Sequence, residues 1–222
     1  MGLAGRVSAG TARTAGRRAA EVRELRELAG KVAPVVLAGE QVLPVDDALA
    51  PLLPGGGLRR GSVVAVDGPP GSGATSLLLR LVAGPSAAGS WVALVGMPSV
   101  GAVAAAEAGV DLSRLALVPA PGGHWPMVTA ALLDAIDVVV VRPPTRFRAA
   151  DARRLAARTR ERGGVLVVVG NHPDGADVRL TATGSTWRGL GAGHGVLASR
   201  TVDVVATGRG AAARERRLAI TL

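Results

Sequence analysis

Short, uninterrupted apolar runs alternate with amphipathic segments through the middle of this chain. The runs predict strands at residues 62–66, 91–95, 115–118, 138–141 and 165–169. Runs without polar interruption are typical of strands that are covered on both faces of a sheet. Helical periodicity predicts helices between them, at residues 75–83, 99–108, 126–135 and 149–162. This alternation indicates right-handed βαβ units and a parallel sheet.

The pattern changes in the last part of the chain. Strand-like segments at residues 177–182, 196–207 and 217–222 are separated by glycine-rich turns, with no helix between them. Such spacing predicts an antiparallel meander that extends one edge of the sheet. The expected fold is therefore α/β: a mostly parallel sheet flanked by helices, with antiparallel strands added at the C-terminal end.

The beginning of the chain has a different composition. We interpret residues 1–30 as a basic N-terminal arm and helix, and residues 31–222 as the core domain. A helix at residues 17–29 would either dock a partner or cover the domain, and both interpretations stay open. A short helix is also predicted at residues 48–52, with Asp46 and Asp47 as its N-caps.

Composition narrows the chemistry. The chain has 222 residues, is 48% hydrophobic and contains no cysteine, which excludes disulfides and thiolate metal sites. The formal net charge of +9 comes almost wholly from arginine, and it is compatible with nucleic acid or with an acidic protein surface. Arginine usage in a GC-rich genome would also explain it. No apolar run has the length of a membrane helix, and we expect a cytoplasmic protein.

The clearest chemical motif is residues 68–76, GPPGSGATS, between a predicted strand and a predicted helix. It follows the phosphate-loop pattern G-x-x-x-x-G-K-[ST], in which backbone N–H groups cradle phosphates and the lysine contacts the β/γ oxygens. Ala74 stands at the lysine position, and the chain's only lysine is Lys31. The candidate cofactor-binding residues of this degenerate loop are Gly68, Gly71, Gly73, Ala74, Thr75 and Ser76. The loop is either a retained phosphate nest or a packing turn whose Thr75 and Ser76 cap the helix.

The order of phosphate loop, parallel core and terminal antiparallel strands resembles the core of the RecA recombinase. Residues 50–79 resemble the RecA segment that leads through a Gly-Gly-Leu-Pro-x-Gly turn into the phosphate loop. Similar matches follow in the same order at residues 109–115, 136–141 and 177–180. The resemblance covers residues 45–205 and implies a RecA-like P-loop core.

Within that group, the chain most resembles the shortened, RecA-like ImuA proteins of actinobacteria. The similar segments are residues 53–62 (LPGGGLRRGS), 88–93 (AGSWVA), 151–158 (DARRLAAR) and 184–191 (GSTWRGLG). ImuA proteins are accessory factors of the damage-induced mutasome for error-prone translesion synthesis. The resemblance implies an ImuB-like inactive Y-family polymerase homologue as partner and, indirectly, an error-prone C-family DNA polymerase.

The charged groups that phosphoryl transfer requires are missing from the matching positions. Such transfer needs a lysine on the phosphates, a carboxylate on magnesium and a group that orients water. The RecA pattern places the magnesium aspartate at Arg142 and the catalytic glutamate at Met97, in addition to the lysine at Ala74. We therefore predict a pseudo-ATPase with no catalytic residues, no bound cofactor and no metal.

A basic segment follows the fourth predicted strand. Its candidate nucleic-acid or partner contacts are Arg142, Arg146, Phe147, Arg148, Arg153, Arg154 and Arg158. It would contact single-stranded DNA weakly, by phosphate neutralisation and one stacking ring, or it would form a solvated helix face.

These observations favour a non-catalytic adaptor of the mutagenic translesion synthesis complex. The alternative is a nucleotide-sensing or cell-division regulator of the SOS response. A genuine ATPase or recombinase is disfavoured by Ala74 and Arg142.

Overall fold

The apolar runs form the strands of one eight-stranded sheet in the computed structural model, which describes residues 42–144, 147–170, 175–191 and 194–222. The strands are β3 (Val63–Asp67), β4 (Val92–Val95), β5 (Leu115–Val118), β6 (Val138–Val141), β7 (Val165–Val169), β8 (Val178–Gly191), β9 (His194–Gly208) and β10 (Arg216–Thr221). A separate antiparallel ribbon pairs β1 (Val42–Pro44) with β2 (Gly57–Arg59).

The order across the sheet is β10-β9-β8-β3-β7-β6-β4-β5. All contacts from β8 through β5 are parallel, whereas β8 pairs with β9 and β9 pairs with β10 in antiparallel fashion. The predicted α/β class, the mostly parallel sheet and the antiparallel C-terminal strands are therefore confirmed. Because parallel strands point the same way, the segments that follow β3, β4, β6 and β7 meet at one edge of the sheet.

Four α-helices connect the strands of the described residues: α1 (Ala74–Ala87), α2 (Ala102–Glu107), α3 (Trp125–Leu132) and α4 (Ala149–Arg162). The prediction for α4 was right to the residue, but α1 extends beyond the predicted residue 83. Its continuation buries Pro85 and Ser86, so burial holds the last turn although proline lacks an N–H group. Helix α2 is shorter than predicted, and only its Ala105 is buried.

The predicted short helix at residues 48–52 is a 3-10 turn at Ala50–Leu52. Asp46 does cap the turn before it, since its carboxylate accepts a hydrogen bond from the N–H of Ala48 at 2.9 Å. The same carboxylate pairs with Arg80 on α1 at 2.5 Å. Asp47 is exposed, and its predicted capping role is wrong because Leu49 is the N-cap residue.

Side-chain alternation along the strands builds a separate core on each face of the sheet. One face, with Val64, Val66 and Leu94, packs against the leucines of α1. The opposite face packs against α3 and α4, where the rings of Trp125 and Phe147 meet edge to face with centroids 4.9 Å apart. This double cover explains why the central strands are apolar at every position.

Some sequence-based predictions lie outside the described residues. These are the arm and helix of residues 1–30, the domain boundary after them, and Arg146. None of the helices among the described residues has the length and apolarity that crossing a membrane requires.

Candidate functional site

The glycine-rich loop joins β3 to α1 at the carboxyl-terminal edge of the parallel strands. Two of its glycines, Gly68 and Gly73, are required by close approach to β8 and β9. A Cβ atom on Gly68 would lie 2.5 Å from the carbonyl oxygen of Ala182, and one on Gly73 would lie 2.6 Å from Cγ2 of Val202. Gly73 also has a φ of +98°, which L-residues rarely adopt. The loop is therefore shaped to fit against the last strands of the sheet.

Helix α1 begins without a side-chain cap. Its N-cap residue is Gly73, which has no side chain, and the described residues include no side-chain cap hydrogen bond at this helix start. Thr75 is exposed and Ser76 is half-buried within the helix. The interpretation in which Thr75 and Ser76 cap the helix is therefore wrong; the reason is that both lie inside the first turn, past the capping position.

The loop carbonyl of Gly71 is bound by side chains of the neighbouring strands. The guanidinium of Arg200 on β9 donates a hydrogen bond to this oxygen, and the hydroxyl of Ser185 on β8 donates another at 3.2 Å. Arg200 also donates to the Ser185 hydroxyl at 2.9 Å. The guanidinium of Arg200 is thus held at the loop, although the loop has no lysine of its own.

Register places an aromatic ring beside that cation. Trp187 on β8 is the direct cross-strand partner of Arg200, and the guanidinium carbon lies 5.0 Å from the centre of the indole ring. The ring remains half-exposed, at 50%. A guanidinium over an indole at this distance is a favourable cation–π pair. Trp187 therefore helps to hold Arg200 against the loop.

Polar groups beneath the loop are buried. Asp67, the last residue of β3, forms an ion pair with Arg179 of β8 at 2.6 Å. Its other carboxylate oxygen and the hydroxyl of Ser72 are buried and have no hydrogen-bond partner among the described residues. Ser72 is only 5% exposed. The loop thus retains unsatisfied polar atoms on its inner side, where buried groups are normally paired.

The positions expected to carry catalytic carboxylates lie at the same edge of the sheet. Arg142 directly follows β6, and its backbone N–H donates to the carbonyl of Val95 at 2.9 Å. Met97, just beyond β4, is 4% exposed and belongs to the core. Strand β6 is separated from β3 by β7, so Arg142 is roughly 10 Å from the loop strand.

Neither position offers an oxygen ligand. In the described part of the chain there is no group of three or more His, Cys, Asp or Glu side chains that could hold a metal ion. The residues that are present do not fit a magnesium nucleotide: Ala74 supplies no ammonium, Met97 no carboxylate, and Arg142 would repel the cation. The backbone N–H groups at the start of α1 are the groups left to meet an anion.

The described arginines of the basic segment lie on α4, at its N-cap and just after β6, and none has a stacking ring exposed beside it. Phe147 is 7% exposed and packs on Trp125, so its ring is not available to stack on a base, and the prediction that it does so is wrong. Burial of the Phe147 ring in the apolar core beneath α4 is more favourable than its exposure to solvent. The exposed members of the segment are Arg148, Arg153 and Arg154, and Arg142 is half-buried.

Arg158 is held in an ion-pair network. Its guanidinium binds both carboxylate oxygens of Asp134, at 2.6 and 2.5 Å, and Arg162 contacts the same carboxylate at 3.2 Å. Hydrogen bonds from Arg158 lower the pKa of Asp134, and the same bonds raise the pKa of Arg158. This bidentate pair ties α4 to the segment after α3, so Arg158 has a structural role in addition to any contact it makes.

Sequence reasoning missed Arg200, Ser185, Asp67 and Arg179 as neighbours of the loop. No motif marks them, since they lie over a hundred residues from the loop or belong to an ordinary strand pattern. The available signal was alternation along β8 and β9: Ser185 and Trp187 share one face of β8, and their cross-strand partners on β9 are Val202 and Arg200.

Fold and site together define an α/β protein in which a glycine-rich strand–loop–helix unit lies at the centre of a mostly parallel sheet and lacks its lysine. The chain belongs to the MT3502 N-terminal domain family, which it matches over residues 51–174. It is also 44% identical over 140 residues to the uncharacterized protein Rv3395c of Mycobacterium tuberculosis. That match covers 58% of this chain and 67% of the relative.

Proposed function

We propose that this protein is a non-catalytic, RecA-like accessory protein of the DNA-damage-induced mutagenic translesion synthesis complex. It acts as an adaptor that binds an ImuB-like inactive Y-family polymerase homologue and, through it, an error-prone C-family DNA polymerase. The observation that carries the proposal is a phosphate-loop scaffold in which Ala74, Met97 and Arg142 stand where the RecA pattern has its lysine, catalytic glutamate and magnesium aspartate. The work would take place in the cytoplasm.

The strand arrangement supports a RecA-like P-loop core. The loop strand β3 lies inside the parallel part of the sheet, between β7 and β8, and α1 follows the loop directly. The chain then ends with β9 and β10 added antiparallel at the edge. This is the order on which the sequence resemblance to RecA rests. The resemblance to ImuA proteins supplies the partner.

The energetics support a role without catalysis. A hydrogen bond to a charged group contributes roughly 1.5–3 kcal/mol, so loss of the lysine alone reduces phosphate affinity by tenfold or more. Loss of the magnesium carboxylate removes the ion that neutralises charge in the transition state. Arg200 does not replace the lysine directly, because its guanidinium binds the carbonyl of Gly71.

An adaptor needs surfaces that remain open for partners. The sheet ends in the edge strands β5 and β10. The β8–β9 hairpin also extends beyond the residues that pair with β3 on one side and with β10 on the other. This extension carries the exposed side chains of Trp187, Val196 and Leu197. Edge strands and exposed apolar side chains are common partner-binding features. A weak, salt-sensitive contact with DNA through exposed arginines of α4 is compatible with this role.

Affinity purification of the tagged protein from DNA-damaged cells, followed by mass spectrometry, tests the proposal. We expect recovery of a Y-family-like polymerase homologue, and purified partner and adaptor should then form a complex without ATP. Recovery of division proteins in place of that homologue would favour the alternative, a nucleotide-sensing or cell-division regulator. Recovery of neither would overturn the translesion assignment.

A further inference from the structure

A second concave site lies at the amino-terminal ends of the parallel strands, whereas the glycine-rich loop lies at their carboxyl-terminal ends. It is a cavity of about 660 Å³ at the amino-terminal ends of β3 and β8. Strand β2, the last turns of α4 and the 3-10 turn Gly210–Ala212 form its walls. Cavities of about 300–1,000 Å³ are the usual size of ligand sites. Nothing in the phosphate-loop chemistry involves this edge.

The floor of the cavity is aliphatic. Core side chains reach its surface here; they are Leu53, Leu58, Val64, Val178 and Ala212. No aromatic residue is among the described residues that line it. Sequence-tolerant binding of single-stranded nucleic acid depends on aromatic rings that stack on bases. An aliphatic floor favours an aliphatic side chain as its occupant.

The rim of the cavity is strongly basic. Among the described residues, four arginines and one aspartate line it: Arg59, Arg60, Arg160, Arg209 and Asp177. Arg60 is already bound to Asp137 at 3.0 Å, and Arg209 donates to the carbonyl of Gly175 at 2.5 Å. The guanidinium groups of Arg59 and Arg160 are exposed, and among the described residues no acid or hydrogen-bond acceptor binds them. These two cations are available to a ligand.

The backbone segments that form the walls are closely packed. The carboxylate of Asp177 accepts a hydrogen bond from the N–H of Val63 at 2.8 Å, so this carboxylate is engaged in the sheet. A Cβ atom on Gly208 would collide with the carbonyl oxygen of Asp177. A Cβ atom on Gly61 would lie 3.5 Å from the Cα of Arg160, so the two backbones are closely packed. A pre-formed wall lowers the entropy lost on binding.

We propose that this cavity binds an acidic peptide segment of a partner protein, with an aliphatic side chain of the segment on the floor. Carboxylates of the segment pair with Arg59 and Arg160, since guanidinium groups bind carboxylates with two parallel hydrogen bonds. Any partner with such a segment would be recognised. The inference therefore goes beyond the translesion role and does not depend on it.

The probe is a short fluorescein-labelled peptide in which a pair of leucines is flanked by glutamates on both sides. Fluorescence anisotropy with the full chain should show saturable binding that weakens as salt is added. Arg59→Glu and Arg160→Glu should each weaken binding by about tenfold or more. Ala211→Trp, which introduces a bulky ring at the exposed lining residue Ala211, should also reduce binding.

The matched control is Arg153→Glu, an exposed arginine on the same helix away from the cavity. It changes the net charge by the same amount, and binding should stay within about twofold of wild type if the site is specific. A peptide with serines in place of the leucines tests the floor and should bind more weakly. An oligo-dT strand of equal charge tests the nucleic-acid alternative and should not compete.

Lack of saturable binding by the leucine–glutamate peptide overturns the proposal. So do equal effects of the Arg153 and Arg160 changes, or equal binding of the serine peptide or oligo-dT, because each indicates only general charge attraction. Melting curves of every variant show whether it is folded. Recovery of the polymerase homologue from cells is a separate result, so failure of this site and failure of the translesion role are distinguishable.

Discussion

The guanidinium of Arg200 donates a hydrogen bond to the carbonyl oxygen of Gly71, in the loop where a phosphate-binding protein would hold its ligand. The loop therefore contacts a cation from β9 instead of carrying its own lysine. This contact fastens the β8–β9 hairpin to the loop that precedes α1.

A lysine placed at residue 74 should not produce turnover. We expect the purified protein to release no phosphate from ATP, and Ala74→Lys to gain about tenfold or more in ATP affinity without turnover. Arg142 and Met97 still leave magnesium without a carboxylate. Calorimetry measures the affinity, and a phosphate-release assay measures the rate. Phosphate release by wild type that Thr75→Ala abolishes would contradict the prediction.

Arg200 and Trp187 should stabilise the fold as a coupled pair. A double-mutant cycle with Arg200→Ala and Trp187→Leu should give a coupling free energy of about 0.5–1 kcal/mol, the strength of an exposed cation–π pair. Urea denaturation provides the free energies of unfolding. Arg188→Ala is the control, since Arg188 is exposed and pairs across the strands with Ser199. Fully additive effects of the Arg200 and Trp187 changes would show that the ring does not hold the cation.

Gly73→Ala should destabilise the protein more than Gly71→Ala. Both residues have a positive φ, so each alanine costs about 1–2 kcal/mol in backbone strain. A Cβ atom on Gly73 also meets Val202 at 2.6 Å, whereas one on Gly71 meets nothing within 4 Å. The clash should add about 1–3 kcal/mol to the loss. Denaturant midpoints measure the difference; equal losses would mean that β9 does not pack on the loop.

Phe147 should matter for stability and not for DNA. Phe147→Leu keeps most of the apolar volume but loses the edge-to-face pair with Trp125, and it should cost about 0.5–1.5 kcal/mol. Any affinity for single-stranded DNA, measured by anisotropy at low salt, should be unchanged. Arg148→Glu is the comparison, because Arg148 is exposed beside it. A loss of DNA affinity in Phe147→Leu and not in Arg148→Glu would restore the stacking role.

Asp134 should contribute to acid sensitivity. Hydrogen bonds from Arg158 lower the pKa of Asp134 in the folded protein below its ordinary value of 3.8. Its contribution to stability is therefore present above that value and is lost as the pH falls through the lowered pKa. We expect Asp134→Asn to reduce the free energy of unfolding at neutral pH and to flatten its decline in acid.

Denaturation at a series of pH values between about 6 and 2 measures this slope. Asp47→Asn is the matched control, because Asp47 is exposed and no hydrogen bond or ion pair engages its carboxylate within the described residues. A slope that is the same in Asp134→Asn and wild type would show that the ion pair makes no net contribution.

Local pattern was sufficient for most of the secondary structure. Residues 138–141 and 165–169 are apolar at every position, and they became β6 and β7 at the predicted bounds. Helix ends were harder to predict. The extension of α1 to Ala87 depends on the burial of Pro85 in the core. Pro85 meets the residues of that core only after the sheet has formed. The sequence likewise predicted Phe147 as part of a basic surface, and only the structure shows that its ring packs against Trp125.

The sequence by itself determined the alternation of strands and helices, the glycine-rich turn and the absence of a lysine at Ala74, because these depend on residue type and spacing along the chain. Only the tertiary structure decided which side chain binds the carbonyl of Gly71 in the loop. Arg200 is far from Gly71 in sequence, and the antiparallel pairing of β8 with β9 brings it there beside Trp187. Contacts between distant residues depend on strand register, and register is fixed by the packing of the whole sheet.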